Sequence, residues 1–299
     1  MSAAAPTPEV ATVAVLGRGT MGRGIAQAAA MAGYATRCFE PADAARDKAE
    51  AAVRRTVAKG VELGKTAAPD AEAALARLGW TNDLAAAVDG ADLVIEAIPE
   101  DVALKVETFR RVADHAPGHA LFASNTSALS ITEMAAATDR PERFAGMHFF
   151  NPVHLMRLIE LVRGLDTSDA TVAAMTEVGR RMGKEVVQVA EAPGFVTTRI
   201  NVLIGNEAFR MLEQGIASAE DIDKALKLGL NHPMGPFELA DLVGLDVRLA
   251  ILEHLHATLG EAFRPNRLLV QHVRAGRLGR KTGRGVYRYD ADGKRIAGG

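Results

Sequence analysis

Two short stretches hold side chains that could move a proton or grip a reacting oxygen. In MHFFNP, Met147 to Pro152, a histidine (His148) sits inside an apolar run, and a glutamate (Glu160) follows in MRLIELVRG. If the second run is a strand, Met156, Leu158, Glu160 and Val162 share one face, which aims a carboxylate among apolar neighbours. An unpaired buried carboxylate is costly, so a partner is required. His148 is the nearest candidate because the two strands are sequential. Such a pair would orient the imidazole and raise its basicity, the arrangement of a general acid/base near neutral pH. A core histidine beside an unrelated surface glutamate is the alternative. The second stretch is SNTSALSIT, Ser124 to Thr132, directly after the apolar run ALFA. Hydroxyls and an amide at the carboxyl end of a parallel strand can face a substrate. Equally, Ser127 or Ser130 could cap the following helix.

A third stretch is a loop for a phosphate rather than a proton. In VAVLGRGTMGRG, Val13 to Gly24, an apolar run ends at Gly17, and Gly17, Gly19 and Gly22 have the Gly-x-Gly-x-x-Gly spacing before the helical stretch IAQAAAMAG. The first glycine allows a sharp turn, the second a close approach to a pyrophosphate, and the third close helix–sheet packing. The free N–H groups and dipole of the helix favour the anion. Thr20 and Met21 lie inside this loop. Glu40 ends a second strand-like run, ATRCF, roughly 20 residues on, where a carboxylate can hold ribose hydroxyls. These features predict a dinucleotide, with NAD favoured because Glu40 would repel the 2′-phosphate of NADP. Arg37 and Arg46 are near enough in sequence to blunt that preference.

The other histidines suggest less. His115 and His119 have the spacing of a metal pair, but Pro117 and Gly118 interrupt the helix that would align them. His254 and His256 point to different sides of any helix. With no cysteine or carboxylate cluster nearby, no metal site is expected. A basic stretch, Arg54, Arg55, Lys59 and Lys65, reads first as a solvated helix face and second as a contact for an anionic substrate handle.

The elements that must position these residues follow from hydrophobic patterning. Strand-like runs at about 11–16, 35–39, 92–98, 119–123, 144–149 and 157–162 alternate with alanine-rich helical stretches, the rhythm of a doubly wound sheet. Past EAPGF the strands give way to amphipathic helices, with Ser218 a candidate N-cap and Asp221 at N3. A helix over Phe237–Leu242 follows HPMGP. The fold class expected is α/β, a Rossmann-like doubly wound domain over 1–190 followed by a smaller all-helical domain over 191–299. The helical part is short for an independent core, which implies packing on the first domain or on a second subunit. Among 299 residues 48% are hydrophobic and the net charge is −2, so nothing in the balance implies nucleic acid or a membrane surface as partner. The single cysteine, Cys38, rules out an intrachain disulfide framework and suits a reducing compartment. MSAAAPTPE lacks the basic flank and apolar core of a secretory signal, and no apolar run approaches a bilayer span. A cytoplasmic enzyme is expected.

Taken together, GRGTMGRGIAQ, DLVIEAIPED, ASNTSALSIT, GMHFFNPVHLMRLIELVRG, EAPGFV, GIASAEDIDKALKLGLNHPMGPFELADLVGLD and GRKTGRGVYRY resemble the short-chain (S)-3-hydroxyacyl-CoA dehydrogenase family, nearest its bacterial 3-hydroxybutyryl-CoA members, over about Val10 to Tyr289. The resemblance implies NAD-dependent hydride transfer at C3 of an acyl-CoA substrate and a homodimer formed through the helical domain. It makes His148 the catalytic base, Glu160 its partner, and Ser127 the hydroxyl at the substrate's 3-oxygen and the nicotinamide end, with Asn151 near the nicotinamide. Glu40 takes the acidic ribose position, where aspartate is more usual. Ala97, Glu100, Lys105 and Lys281 match further cofactor positions, and Lys59 a lysine near the CoA phosphates. One position departs: the family's asparagine in a PGFVxNR-like run is Thr198 here, which bears on substrate alignment. The alternatives are a dehydrogenase of a non-CoA hydroxy acid, such as a gulonate or carnitine dehydrogenase, and a catalytically silent dinucleotide-binding relative.

Overall fold

In the run that ends at Gly17, Val13 and Val15 pack to one side and Ala14 and Leu16 to the other, all fully buried. A strand that is apolar on both faces needs cover on both. The computed structural model describes residues 8–296. The expectation about a leader falls mostly on residues 1–7, outside the described residues. The first strand is β1 (Thr12–Leu16), followed by α1 (Thr20–Met31), β2 (Ala35–Phe39), α2 (Asp43–Glu62), α3 (Ala68–Arg77), β3 (Leu78–Thr81) and α4 (Leu84–Val88). Then come β4 (Leu93–Glu96), α5 (Val102–Ala113), β5 (Leu121–Ser124), α6 (Ile131–Ala136), β6 (Phe144–Phe149), β7 (Leu158–Arg163), α7 (Asp169–Arg181) and β8 (Glu185–Ala190). One sheet results, in the order β3-β2-β1-β4-β5-β6-β7-β8. Every pairing is parallel except β6 with β7. Residues of α1 and α7 cover one face, and residues of α4, α5 and α6 the other. The α/β, Rossmann-like architecture expected from the alternation is therefore present.

Two strands escape the hydrophobic pattern, β3 (LGWT) and β8 (EVVQVA), and both lie at sheet edges. An edge strand pairs along one side only and buries few side chains: four of the six residues of β8 are exposed. Its periodicity is correspondingly weak.

The chain divides into two compact units, the break falling between Phe195 and Val196. The second contains α8 (Thr197–Glu213), α9 (Ala219–Gly229), α10 (Pro236–Val243), α11 (Leu245–Leu259) and α12 (Arg267–Arg274). Ser218 caps α9, its Oγ accepting from Asp221 N at 3.1 Å. This unit has its own apolar core, including Phe209, Phe237, Leu252 and Tyr287. Two buried carboxylates tie its ends together. Asp223 accepts from Phe237 N, Glu238 N and Tyr287 OH, and Asp241 accepts from Val286 N, Tyr287 N and Tyr289 OH. A Cβ on Gly285 would lie 2.0 Å from Asp241, so the run GRGVYRY needs a glycine there to reach the carboxylate. No helix of the described residues is long and apolar enough to cross a membrane.

In the first unit, a buried ion pair binds α5 to the carboxyl ends of β4 and β5. Lys105 Nζ lies 2.6 Å from Glu96 Oε1, with the two side chains 1% and 0% exposed. Ser124 Oγ and Ile98 N also donate to this carboxylate, at 2.6 Å each. Burial pushes the Glu96 carboxyl above its ordinary range, while Lys105 and the other donors pull against it. Removing one member strands the other charge in the core. Lys105→Met is expected to destabilise the protein by about 3–5 kcal/mol, read from urea unfolding, and a loss below about 1 kcal/mol would show that the pair does not hold this corner.

Candidate active site

The order β2-β1-β4 makes the carboxyl end of β1 a topological switch point, where the sheet opens a crevice for ligands. The glycine loop lies there for steric reasons that can be stated atom by atom. Gly17 has φ +105°, and a Cβ on it would meet the carbonyl oxygen of Ala97, at the end of β4, at 2.6 Å. A Cβ on Gly22 would lie 1.9 Å from the carbonyl oxygen of Gly17, so only glycine lets α1 start this close to the turn. Beside Gly19 there is open space. No side chain caps the first turn of α1 and that turn contains no acidic residue, leaving its N–H groups for an external anion. Gly17, Gly19, Thr20, Met21, Glu40 and Ala97 all line one cavity of about 1270 Å³. Glue for the loop comes from below: the buried Cys38 thiol donates to Gly17 O, and burial pushes that thiol up to about 12. A dinucleotide's pyrophosphate and adenosine ribose fit this donor set.

Glu40 is not free at the end of β2. Its Oε2 lies 2.9 Å from Arg18 Nε, and its Oε1 accepts from Ala42 N at 3.1 Å. The two arginines expected to blunt its charge are committed elsewhere. Arg37 donates to the Ala86 and Asp89 carbonyls, and Arg46 to Asp43 and Asp47. His115, expected to be structural or solvated, is exposed and lines the cavity together with Leu104, Thr108 and Arg111, because all four lie along one face of α5 and its end.

Proton chemistry is built on the antiparallel pair. Its register sets His148 directly opposite Glu160. His148 Nδ1 is 2.8 Å from Glu160 Oε2, with side chains 6% and 1% exposed. On its other side, His148 Nε2 is 3.1 Å from Ser127 Oγ. An Nδ1–H donated to the carboxylate leaves Nε2 with its lone pair facing the hydroxyl. The two readings of the serine-rich loop separate by position. Ser130 is the helix cap, accepting from Glu133 N and donating to Glu191, whereas Ser127 faces the imidazole.

Several positioning residues gave no signal in the sequence. Phe150 and Phe195 pack on the His148 ring, at centroid distances of 4.5 and 5.9 Å. Phe195 has φ +47°, a conformation uncommon for a bulky residue, and its side chain is buried at 3% exposure. Asn125 Oδ1 accepts from Phe149 N at 2.9 Å, tying the loop after β5 to β6. Only the odd placement of Phe195 after a Pro-Gly turn could have marked it.

Two residues expected at the cofactor are joined to each other, Lys105 buried and Glu100 45% exposed. Glu100 Oε1 accepts from Thr126 Oγ1 at 2.5 Å and from Ser127 N at 2.9 Å, and its Oε2 lies 3.3 Å from Lys105 Nζ. Lys105 is the buried partner of Glu96, and neither it nor Glu100 lines the cavity. Asn151 is exposed at the start of the loop after β6, joined to Pro152 by a cis peptide bond. Lys59 lies on the exposed face of α2, 2.8 Å from Glu62. Thr198 is the second residue of α8, half-buried, and Lys281 pairs with Asp246 at 2.6 Å, both in the second unit. Among the described residues, no group of three or more His, Cys, Asp or Glu side chains could hold a metal ion.

Comparison with known proteins points to one family. Residues 12–192 match the 3-hydroxyacyl-CoA dehydrogenase NAD binding domain, and residues 194–289 the C-terminal domain of the same family. A probable 3-hydroxybutyryl-CoA dehydrogenase of Bacillus subtilis is 44% identical over 283 residues, covering 94% of this chain and 98% of the relative. The crystal structure of an (S)-3-hydroxybutyryl-CoA dehydrogenase from Ralstonia eutropha superposes with a TM-score of 0.91 at 44% identity, over 94% of this chain and 100% of that one. A diketoreductase that acts on dicarbonyl compounds is more distant, at 30% identity and a TM-score of 0.82, over 94% and 99% of the two chains. With the glycine loop, a carboxylate at the end of β2 and the paired histidine all present on this fold, the chain belongs to the 3-hydroxyacyl-CoA dehydrogenase family and takes NAD as its cofactor.

Proposed function

We propose that this NAD-dependent 3-hydroxyacyl-CoA dehydrogenase acts on short acyl chains, interconverting 3-hydroxybutyryl-CoA and acetoacetyl-CoA, with His148 as its general acid/base. The observation that carries the proposal is the line Ser127 Oγ, His148 Nε2, His148 Nδ1, Glu160 Oε2, with gaps of 3.1 and 2.8 Å on the two sides of the imidazole. Bound NAD supplies the hydride acceptor, and NADH the donor. In oxidation, Nε2 takes the proton of the 3-hydroxyl, and the imidazolium so formed is stabilised by Glu160. In reduction, the protonated Nε2 donates toward the 3-keto oxygen and delivers its proton there. Ser127 contributes a second hydroxyl to that oxygen, its position fixed by Glu100 at its backbone N–H. Phe150 and Phe195 exclude water from the imidazole, which strengthens its interaction with the carboxylate.

For the cofactor, we assign the pyrophosphate to the N–H groups of Gly19, Thr20, Met21 and Gly22, the adenosine ribose to Glu40, and the nicotinamide end to Asn151 and Ser127. Ala97 forms the cavity floor beside Gly17. Glu100, half exposed beside Ser127, is assigned to the cofactor as well, and the buried Lys105 acts through Glu96 and Glu100. Lys281 is assigned to the cofactor and Lys59 to the CoA phosphates. The Lys59–Glu62 pair is 64% exposed on both sides, and an exposed pair of this kind is worth about 0–1 kcal/mol, which a phosphate readily displaces.

We further infer a cytoplasmic homodimer associating through the helical unit, which begins at Val196, five residues beyond the boundary at 191 expected from the sequence, and which we assign to dimerisation and substrate binding. Ile200, Leu242, Val243 and Val247 of that unit are 56%, 47%, 43% and 41% exposed, more apolar surface than a small helical unit leaves uncovered without use. The one cysteine is buried and no disulfide is formed, as suits a reducing compartment.

Three outcomes are expected. His148→Gln should lower kcat with acetoacetyl-CoA by about 100- to 10,000-fold while NADH affinity, read by fluorescence titration, stays nearly unchanged; near wild-type turnover would remove the histidine from the mechanism. Thr198→Asn should remain folded and raise kcat/KM for acetoacetyl-CoA by an amount equivalent to about 0.5–1.5 kcal/mol, one hydrogen bond, since an amide offers both a donor and an acceptor. A fall in that ratio would point to a pocket built around threonine and to a different substrate. Light scattering at micromolar concentration should give twice the 31.6 kDa subunit mass, and a pure monomer would refute the dimer.

A further inference from the structure

The assignment of the ribose to Glu40 leaves one neighbour unexplained. Arg18 stands between the first two glycines of the loop, its side chain 42% exposed, with Nε 2.9 Å from Glu40 Oε2. Both residues line the cofactor cavity. Arg37 and Arg46, the other arginines near the end of β2, hold backbone carbonyls and aspartates. Three further cations line the same cavity, Arg23, Lys48 and Arg111, but none is paired with the ribose carboxylate. Arg18 is thus in contact with the group that faces the ribose and has a flexible, half-open guanidinium.

We propose that Arg18 is a specificity-determining residue that sets how strongly the site rejects a 2′-phosphate. The inference rests on the placement of the cofactor at the glycine loop. A carboxylate selects NAD over NADP in two ways: it accepts hydrogen bonds from the free ribose, and it repels the phosphate dianion. Arg18 leaves the first intact, because a carboxylate oxygen has lone pairs beyond those used by one guanidinium and by Ala42 N. It cancels most of the second, because the pair has no net charge. Preference for NAD in this protein therefore comes chiefly from hydrogen bonding and is moderate. Without Glu40, the released guanidinium becomes an unpaired cation within reach of the same ribose, with the fork geometry that holds phosphate oxygens in pairs.

The test compares AMP with adenosine 2′,5′-bisphosphate, which differ only by the 2′-phosphate, binding to the cofactor-free protein by isothermal titration calorimetry. Wild type is expected to favour AMP. Arg18→Gln should sharpen that preference by about tenfold, Glu40→Gln should invert it by at least about tenfold, and the double variant should bind the two ligands about equally. Both substituted residues lie at the cavity wall, and unchanged melting temperatures of the three variants without ligand establish that folding is intact. The ratio of kcat/KM for NADPH and NADH should move in the same order. An Arg18→Gln variant with the wild-type ratio overturns the proposal. So does a Glu40→Gln inversion that survives in the double variant, which would give the phosphate to Lys48 or Arg23. Because the fragments involve no acyl-CoA chemistry, a wrong substrate assignment leaves these results standing. Failure of both fragments to bind wild type would instead remove the cofactor placement, and this proposal with it.

Discussion

A lysine and a glutamate hidden from water hold the working end of this molecule together. Lys105 and Glu96 lie 2.6 Å apart with almost no exposure, and each reaches a different part of the site. Glu96 accepts from Ser124, the last residue of β5, and from Ile98, just beyond the cavity-lining Ala97. Lys105 extends toward Glu100, which in turn holds Thr126 and the backbone of Ser127. A desolvated pair is a poor source of stability by itself, since lost hydration offsets much of the attraction. What it provides is definition: two charges in a low-dielectric interior tolerate few arrangements, so the ends of β4 and β5 and the start of α5 keep one geometry. The cofactor loop leans on one end of this arrangement and the serine beside His148 on the other.

The histidine is fixed by different means. Here the sheet supplies the constraint, because antiparallel pairing of β6 and β7 places residues 148 and 160 across from each other. A shift of one residue would turn Glu160 to the opposite face of the sheet and leave a carboxylate in an apolar layer. The hairpin's apolar neighbours, Met147, Phe149, Ile159 and Leu161, are buried and resist such a slip. The His148–Glu160 pairing and core packing therefore enforce the same register.

Charge at the cofactor is arranged with similar economy. The glycine loop binds through its backbone and contributes no formal charge, so the sign of the site is decided by the few ionised side chains around it. Arg18 on Glu40 makes the corner at the end of β2 neutral overall, and Arg23, Lys48 and Arg111 line the remainder with Asp83, whose carboxylate accepts from Ala85 N. Four cationic side chains against two carboxylates, Glu40 and Asp83, suit the cavity to an anionic ligand.

The sequence by itself determined the parts whose physics is local. Three glycines at fixed spacing after an apolar run can serve only a tight strand-to-helix turn with close backbone approaches, and the atoms that Gly17 and Gly22 would strike show why. Alternating βα rhythm specified the sheet, Ser218 its helix cap, and the sequential strands suggested His148 with Glu160. Other features depended on residues far apart in the chain. β3 and β8 carry little apolar pattern because edges bury little. The choice between Ser127 and Ser130 was settled by Glu191 and His148, 61 and 21 residues away respectively. Lys105, matched to a cofactor position by resemblance, has its ammonium drawn inward to Glu96, and nothing in a linear lysine signals burial. Arg18 on Glu40 and the aromatic rings on His148 were equally invisible. Spacing along a chain reports backbone geometry, whereas the partner of a charge or a ring is whatever the folded sheet brings alongside it.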